Sequence, residues 1–82
     1  MKVFNYVSHW YRGAAFSEHV VTATFSTKEK AQERMAADKA QAIEMFDFEY
    51  GEHYDEDEDN YSMVRDLHRN DYWEGEITEQ DI

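Results

Sequence analysis

Residues 26–46 read STKEKAQERMAADKAQAIEMF, and they contain the strongest secondary-structure signal in the chain. Ser26 and Glu29 have the S-x-x-E spacing of a capping box, in which each side chain meets a free backbone N–H of the first helical turn. Residues 27–46 are strong helix formers, so we predict a long helix there. Its apolar residues recur at three- and four-residue spacing and should cover a sheet: Ala31, Met35, Ala36, Ala42, Ile43 and Phe46.

The segments before this helix have the alternation of β-strands. Residues 2–11 distribute aromatic and β-branched side chains over both faces, and residues 19–25 alternate Val, Ala and Phe with Val and Thr. This composition favours strands, and the order of the two segments favours an antiparallel pair. We therefore predict an N-terminal hairpin whose apolar face the helix covers.

The acidic stretch after the helix lacks a clear period. Gly51 interrupts helical character, and the carboxylates of residues 55–60 repel one another unless a cation meets them, so we predict a loop. Residues 61–69 are predicted to form a short second helix, capped by Asp59 or Asn60. This helix would present on one side Tyr61, Val64, Leu67 and His68.

The C-terminal residues return to a period of two. Residues 71–78 place Trp73, Gly75 and Ile77 on one face, which suits a third strand with one buried and one acidic face. We thus predict an α+β fold of order ββααβ: a small antiparallel β-sheet, made of the N-terminal hairpin plus a C-terminal strand, packed by one long and one short helix. Because 82 residues leave room for one modest core, residues 1–82 are expected to form a single domain.

Charge divides the chain into two unlike halves. Residues 1–39 contain six Lys or Arg against four Asp or Glu, residues 40–82 contain two against fifteen, and the whole chain carries −11. A field of this sign repels nucleic acid and anionic membranes, and it attracts cationic grooves or metal ions. We therefore expect neither direct nucleic-acid binding nor membrane binding.

Cysteine is absent from the chain, which excludes disulfides and thiolate metal sites and argues against a small secreted scaffold. The N-terminal residues lack the continuous apolar core of a signal peptide, and no stretch reaches the length of a membrane span. These observations favour a soluble, cytoplasmic protein.

The acidic stretch partly matches a calcium-binding loop. Asp55, Asp57 and Asp59 have the spacing of positions 1, 3 and 5 of an EF-hand loop, and Asp66 stands at position 12. The usual Gly of position 6 and Glu of position 12 are missing, so a solvated loop that binds divalent cations weakly is the better interpretation. The four histidines lack the spacing of a zinc site. We assign no metal site and expect no cofactor.

Catalytic patterns find little support in the sequence. The chain has no cysteine nucleophile, no G-x-S-x-G elbow and no phosphate-cradling glycine loop. Nothing marks one of its many carboxyl groups as the desolvated acid that general acid catalysis needs. We expect a binding protein rather than an enzyme.

Acidic residues interleaved with aromatic ones are the remaining pattern. Rigid rings supply anchoring area for a protein partner, while carboxylates meet its Arg and Lys side chains. Phe46 and Trp73 are expected in the core. The candidate partner-binding residues are Glu44, Asp47, Glu49, Tyr50, Glu52, Tyr54, Asp55, Glu56, Asp57, Glu58, Asp59, Glu74 and Glu76.

In size and charge the chain resembles the small acidic inhibitors that phages and mobile elements direct against restriction, CRISPR or repair nucleases. Duplex DNA carries about one phosphate charge per 1.7 Å of axis, and a rigid array of carboxylates can occupy a groove shaped for that lattice. The resemblance implies a DNA mimic whose partner is a basic nucleic-acid-handling protein. Two alternatives are a small soluble interaction domain and a weak divalent-cation-binding module that uses the loop of residues 55–66.

Overall fold

The computed structural model describes residues 1–13, 17–46 and 53–82. Five strands and one helix occupy these residues: β1 (Lys2–Arg12), β2 (Ser17–Phe25), α1 (Lys28–Phe46), β3 (His53–Glu58), β4 (Tyr61–Asp66) and β5 (Tyr72–Asp81). The strands form one antiparallel sheet in the order β2-β1-β5-β4-β3. The last strand of the chain therefore lies at the centre of the sheet, between the β1–β2 and β3–β4 hairpins.

The core lies between one face of this sheet and α1. Alternate residues of β1 and β5 point toward the helix, so Tyr6 and Trp10 lie beside Trp73 and Ile77, and all four are buried. β4 adds Val64, which is also buried. Because side chains alternate between faces along a strand, the residues between these buried positions point away from the helix.

Gly75 allows α1 to approach the centre of the sheet closely. A Cβ at this position would lie 2.9 Å from Trp73 Cζ2, 3.0 Å from Tyr6 Cε1 and 3.1 Å from Met35 Cγ. A larger residue would therefore displace its neighbours in a closely packed core. The predicted burial of Trp73, Gly75 and Ile77 on one face of the C-terminal strand is confirmed.

The long helix is confirmed, and its buried stripe is partly as predicted. Ile43 is 42% exposed and Ala36 also faces solvent, so their assignment to the stripe is wrong. Asp38 is buried on this side of the helix instead. The residues whose predicted burial is confirmed are Ala31, Met35, Ala42 and Phe46.

The helix begins one residue later than its sequence signal indicated. The backbone N–H of Lys30 donates to Thr27 Oγ1 at 3.2 Å, so Thr27 rather than Ser26 is the N-cap. Within the described ranges, no helix combines the length and the apolar character that a membrane crossing requires.

The predicted ββααβ order is wrong, because residues 61–69 contain strand β4 rather than a second helix and the predicted loop contains β3. The buried residues of β4 alternate along the strand and are Ser62, Val64 and Asp66. Only Val64 is apolar, so the sequence of β4 does not show the hydrophobic alternation of a strand. β3 has no buried residue and is positioned by its pairing with β4, which local sequence does not reveal. Residues 47–52 of the predicted loop lie outside the described residues.

Candidate interaction surface

Among the residues that the structure describes, no helix covers one face of the sheet, and we call this face the open face. An antiparallel sheet can pack one face on a core and leave the other to solvent. Cross-strand pairing arranges the side chains of the open face in rows. Its members include His9, Tyr11, Glu18, Tyr54, Glu56, Glu58, Tyr61, Met63, Arg65, Tyr72, Glu74 and Glu76.

Four carboxylates of the open face form a regular array, the acidic grid. Glu56 and Glu58 lie two residues apart on β3, and Glu74 and Glu76 lie two residues apart on β5. Through the intervening β4, the register aligns Glu56 with Glu74 and Glu58 with Glu76. Regular strand geometry spaces such residues by about 7 Å along a strand and about 10 Å across two strand intervals. The grid therefore holds four like charges on a rigid support.

Tyr61 lies within the acidic grid, and its hydroxyl donates to Glu74 Oε2 at 2.9 Å. Burial, the hydrogen bond to Glu74 and the surrounding negative charges raise the pKa of Tyr61 to about 12. The phenol is therefore a neutral donor at physiological pH. It orients one carboxylate of the grid without cancelling its charge.

A second polar cluster lies beside the grid and is centred on His9. His9 Nε2 lies 2.8 Å from Glu18 Oε1, and Tyr72 Oη lies 3.1 Å from His9 Nδ1. Tyr11 packs against Tyr72 with ring centroids 5.4 Å apart. Burial and the charges of Glu74 and Glu18 raise the pKa of Tyr72. Sequence reasoning missed this cluster. The alternation of residues along β1 shows which side chains share a face, but it does not show that β5 is the neighbouring strand.

A shallow hollow of about 350 Å³ opens on the same face, lined by Met63, Arg65, Tyr72 and Glu74. It combines an apolar side chain, an aromatic ring, a carboxylate and the cationic side chain of Arg65. The first three are groups against which an Arg or Lys side chain of another protein can pack and form charged hydrogen bonds.

Asp55 and Asp57 point to the other face of β3 and connect it to α1. Lys39 Nζ donates to Asp57 Oδ2 at 2.7 Å and to Asp55 Oδ2 at 3.2 Å, and Ser62 Oγ donates to Asp57 Oδ1 at 2.6 Å. The hydrogen bonds from Lys39 and Ser62 lower the pKa of Asp57. Burial of Lys39 favours its neutral form, but the two carboxylates outweigh burial and raise its pKa. These two acids therefore have a structural role.

The calcium-loop spacing does not produce a loop, because residues 53–66 form the β3–β4 hairpin. Asp55 and Asp57 are ion-paired with α1, and Asp59 lies in the hairpin turn. Asp66 is buried and accepts two backbone N–H groups of the segment that follows it. In the ranges that the structure describes, no three His, Cys, Asp or Glu side chains are grouped as a metal site requires.

The structure places the predicted partner-binding residues in different locations. On the open face lie Tyr54, Glu56, Glu58, Glu74 and Glu76. On the helix side or in the hairpin turn lie Asp55, Asp57 and Asp59. Glu44 is exposed on α1, across the sheet from the open face. Outside the described residues lie Asp47, Glu49, Tyr50 and Glu52.

Comparisons of the chain with protein-family models, with curated proteins and with solved structures find no match. The fold and the surface define a two-layer protein with a helix on one face of its sheet and an acidic, tyrosine-rich array on the other. Its function is therefore inferred from the geometry of the open face.

Proposed function

We propose that the protein binds a basic, nucleic-acid-handling protein and covers that protein's nucleic-acid-binding surface with the open face. The acidic grid carries this proposal, because it presents four aligned carboxylates on the face of the sheet opposite α1. Fixed charges of one sign create a potential that favours a cationic groove over other surfaces. The same potential opposes binding of the protein to nucleic acid.

The rigidity of the grid supports mimicry of phosphate charges. Glu74 and Glu76 stand on β5, which is paired on both sides, and Glu56 and Glu58 stand two strands away. Strand geometry places the backbone positions of the four carboxylates about 7 Å apart along a strand and about 10 Å apart across the sheet, so the charges form a regular lattice, as the phosphates of duplex DNA do. Because the strand backbones are already paired, binding costs little backbone entropy, and the hydrogen bond from Tyr61 orders Glu74 in advance.

The hollow beside the grid supports a protein partner over a small ion. Glu74 supplies charge, the ring of Tyr72 can accept a cation against its face, and Met63 can contact the aliphatic part of a Lys or Arg. Tyr54 is 52% exposed on the same face and adds aromatic contact area. Carboxylates then steer the encounter, and rings supply the packed contacts.

The net charge of the open face differs from that of α1. Among the described strand residues, Arg65 is the one Lys or Arg on the open face, where it accompanies Glu18 and the acidic grid. On α1 the charges balance: Lys28, Lys30, Arg34 and Lys39 accompany Glu29, Glu33, Asp38 and Glu44. The open face is therefore net negative, whereas α1 is neutral.

Charge reversal at matched positions tests the proposal. The site variant combines Glu56→Lys, Glu58→Lys and Glu76→Lys. The control variant changes net charge equally on α1, through Glu29→Lys, Glu33→Lys and Glu44→Lys. A basic partner isolated from nuclease-treated lysate should bind the site variant about 100-fold more weakly than the unmodified protein, and the control variant within about 3-fold.

Two further measurements use the same complex. Its affinity should fall steeply as salt rises, because exposed charges are screened over about 8 to 10 Å at moderate ionic strength. Duplex DNA should compete with the protein for the partner. Direct binding of duplex DNA by the protein, or equal losses of affinity in the two variants, would contradict the proposal.

One observation favours a second candidate function, a small interaction domain whose acids only prevent self-association. The sheet edge formed by β3 presents four successive carboxylates, residues 55–58, and charged edge strands resist pairing with other strands. If this candidate is correct, the neutral variant Glu56→Gln/Glu58→Gln will aggregate, whereas the site variant, whose edge stays charged, will keep its affinity for a partner.

A further inference from the structure

The two edges of the sheet differ in their protection against pairing. β3 carries four successive carboxylates, whereas β2 reads SEHVVTATF, with Glu18 as its one acid and no Lys, Arg or Pro. Among the described residues, β2 pairs with β1 alone, so one edge of its backbone meets no strand. A regular nine-residue edge without a charge at its centre is a template for another strand.

We propose that two copies of this chain pair through β2, antiparallel about a two-fold axis at Val21, and form one continuous sheet of ten strands. This inference goes beyond the proposed function and does not depend on it. The dimer would place the acidic grids of the two copies at opposite ends of a common open face.

The sequence of β2 is complementary to itself in this register. With Val21 on the axis, Val20 faces Thr22 of the second copy, and Glu18 faces Thr24 of the second copy. No like charges stand opposite one another, and β-branched residues meet across the pair, which stabilises an antiparallel ladder. An interface of this kind uses the same patch on both copies and closes as a dimer.

A second copy would also cover apolar surface beside β2. Val20 is 57% exposed on the open face. On the helix side, a groove of about 270 Å³ lies between α1 and β2. Its apolar lining comes from Trp10, Val21 and Met45, and its polar lining from His19, Arg34, Asp38 and Gln41. Pairing with the β2 of another copy adds burial of this surface to the main-chain hydrogen bonds of the new ladder.

The distribution of charge determines which edge can pair. The net charge of −11 opposes self-association in general. β3 lies four strand intervals from β2, or about 19 Å, which is about twice the screening length at physiological salt. Pairing of two β3 edges would bring their carboxylates together, whereas pairing of two β2 edges leaves the acidic edges outermost.

Mass measurements on matched variants test the dimer. The unmodified protein, at about 0.15 M salt, should approach twice the monomer mass as its concentration rises. The edge variant Val20→Lys/Thr22→Lys should raise the dimer dissociation constant at least about 30-fold, because Lys side chains meet across the axis. The control Val7→Lys/Thr78→Lys makes the same substitutions at exposed positions of the inner strands β1 and β5 and should dimerise normally.

A single introduced cysteine tests the register, because the chain has none of its own. Val21 faces itself across the axis with a Cα separation of about 4.5 to 5.5 Å, which a disulfide can bridge. Val21→Cys should therefore form a disulfide-linked dimer at least about 10-fold faster than Thr78→Cys. A monomeric mass at every concentration, a dimer that survives in the edge variant, or equal oxidation of the two cysteine variants would overturn the proposal.

Discussion

Asp38 shows how a buried charge is accommodated in this small core. The hydroxyl of Tyr6 donates to Asp38 Oδ2 at 2.6 Å, and Arg34 Nε lies 3.3 Å from both carboxylate oxygens. Burial, together with the hydrogen bond to Asp38 and its charge, raises the pKa of Tyr6. A charged residue within a helix usually indicates solvent exposure. Tyr6, the partner of Asp38 on β1, is 32 positions away in the sequence. The sequence alone therefore did not predict this contact.

Removing the Asp38 carboxylate should destabilise the protein more than removing an exposed one. Asp38→Ala leaves the buried hydroxyl of Tyr6 without this acceptor and should lower the free energy of unfolding by about 1 to 3 kcal/mol, measured in urea. Asp38→Asn keeps an acceptor and should cost less. Glu33→Ala, exposed on the same helix, should change stability by less than about 0.5 kcal/mol. Equal losses for the two alanine variants would contradict the assigned role.

The Lys39–Asp57 pair predicts a pH dependence of stability. Its partners hold the pKa of Asp57 below the ordinary value of 3.8, so the ionised form favours the folded state. This contribution is complete above that value and is lost as pH falls through the lowered pKa. Asp57→Asn should therefore lower the melting temperature near neutral pH, and its difference from the unmodified protein should shrink in acid.

The size of this effect is limited by exposure, because the Asp57 side chain is 68% exposed. Such pairs typically contribute less than about 1 kcal/mol. Glu58→Gln serves as the control, because it removes a neighbouring carboxylate that lies on the open face and does not pair with Lys39. A melting-temperature difference for Asp57→Asn that is the same at neutral pH and at about pH 2 would contradict the ion-pair explanation.

At the scale of elements, segments with a strong local period were predictable, and segments positioned by pairing were not. The predicted ranges 2–11 and 27–46 lie within one residue of β1 and α1 at each end. β3 has no hydrophobic period, because Tyr54 is its one aromatic residue and its remaining residues are polar or charged. Its position depends on β4 and on Lys39 of α1, which are tertiary contacts.

The rotation of α1 about its axis has a measurable energetic consequence. Phe46 is fully buried, so Phe46→Ala should reduce the free energy of unfolding by about 3 to 5 kcal/mol. Ile43 is 42% exposed, so Ile43→Ala should cost about 1 kcal/mol. Gln41→Ala at an exposed position should be nearly silent. Equal losses at Phe46 and Ile43 in urea unfolding would indicate a different helix rotation.

At the scale of the whole molecule, the open face depends on β5 lying between β1 and β4. This order aligns Glu74 and Glu76 with the acids of β3 across the intervening β4, and it places Glu74 beside His9. Composition and charge predicted an acidic surface with aromatic residues. Which acids share a face could not be predicted without knowing where each strand begins and which strands are its neighbours. A shift of one residue along a strand moves every side chain to the opposite face.

Chemical-shift mapping tests most directly whether the open face is the binding surface. Isotope-labelled protein would be titrated with its unlabelled basic partner, and with duplex DNA in a parallel experiment. With the partner, signals of Tyr61, Glu74 and Glu76 should shift or broaden while those of Glu29 and Glu33 on α1 stay unchanged, and DNA alone should change none of them. Perturbations that concentrate on α1 and spare the open face would contradict the proposed function.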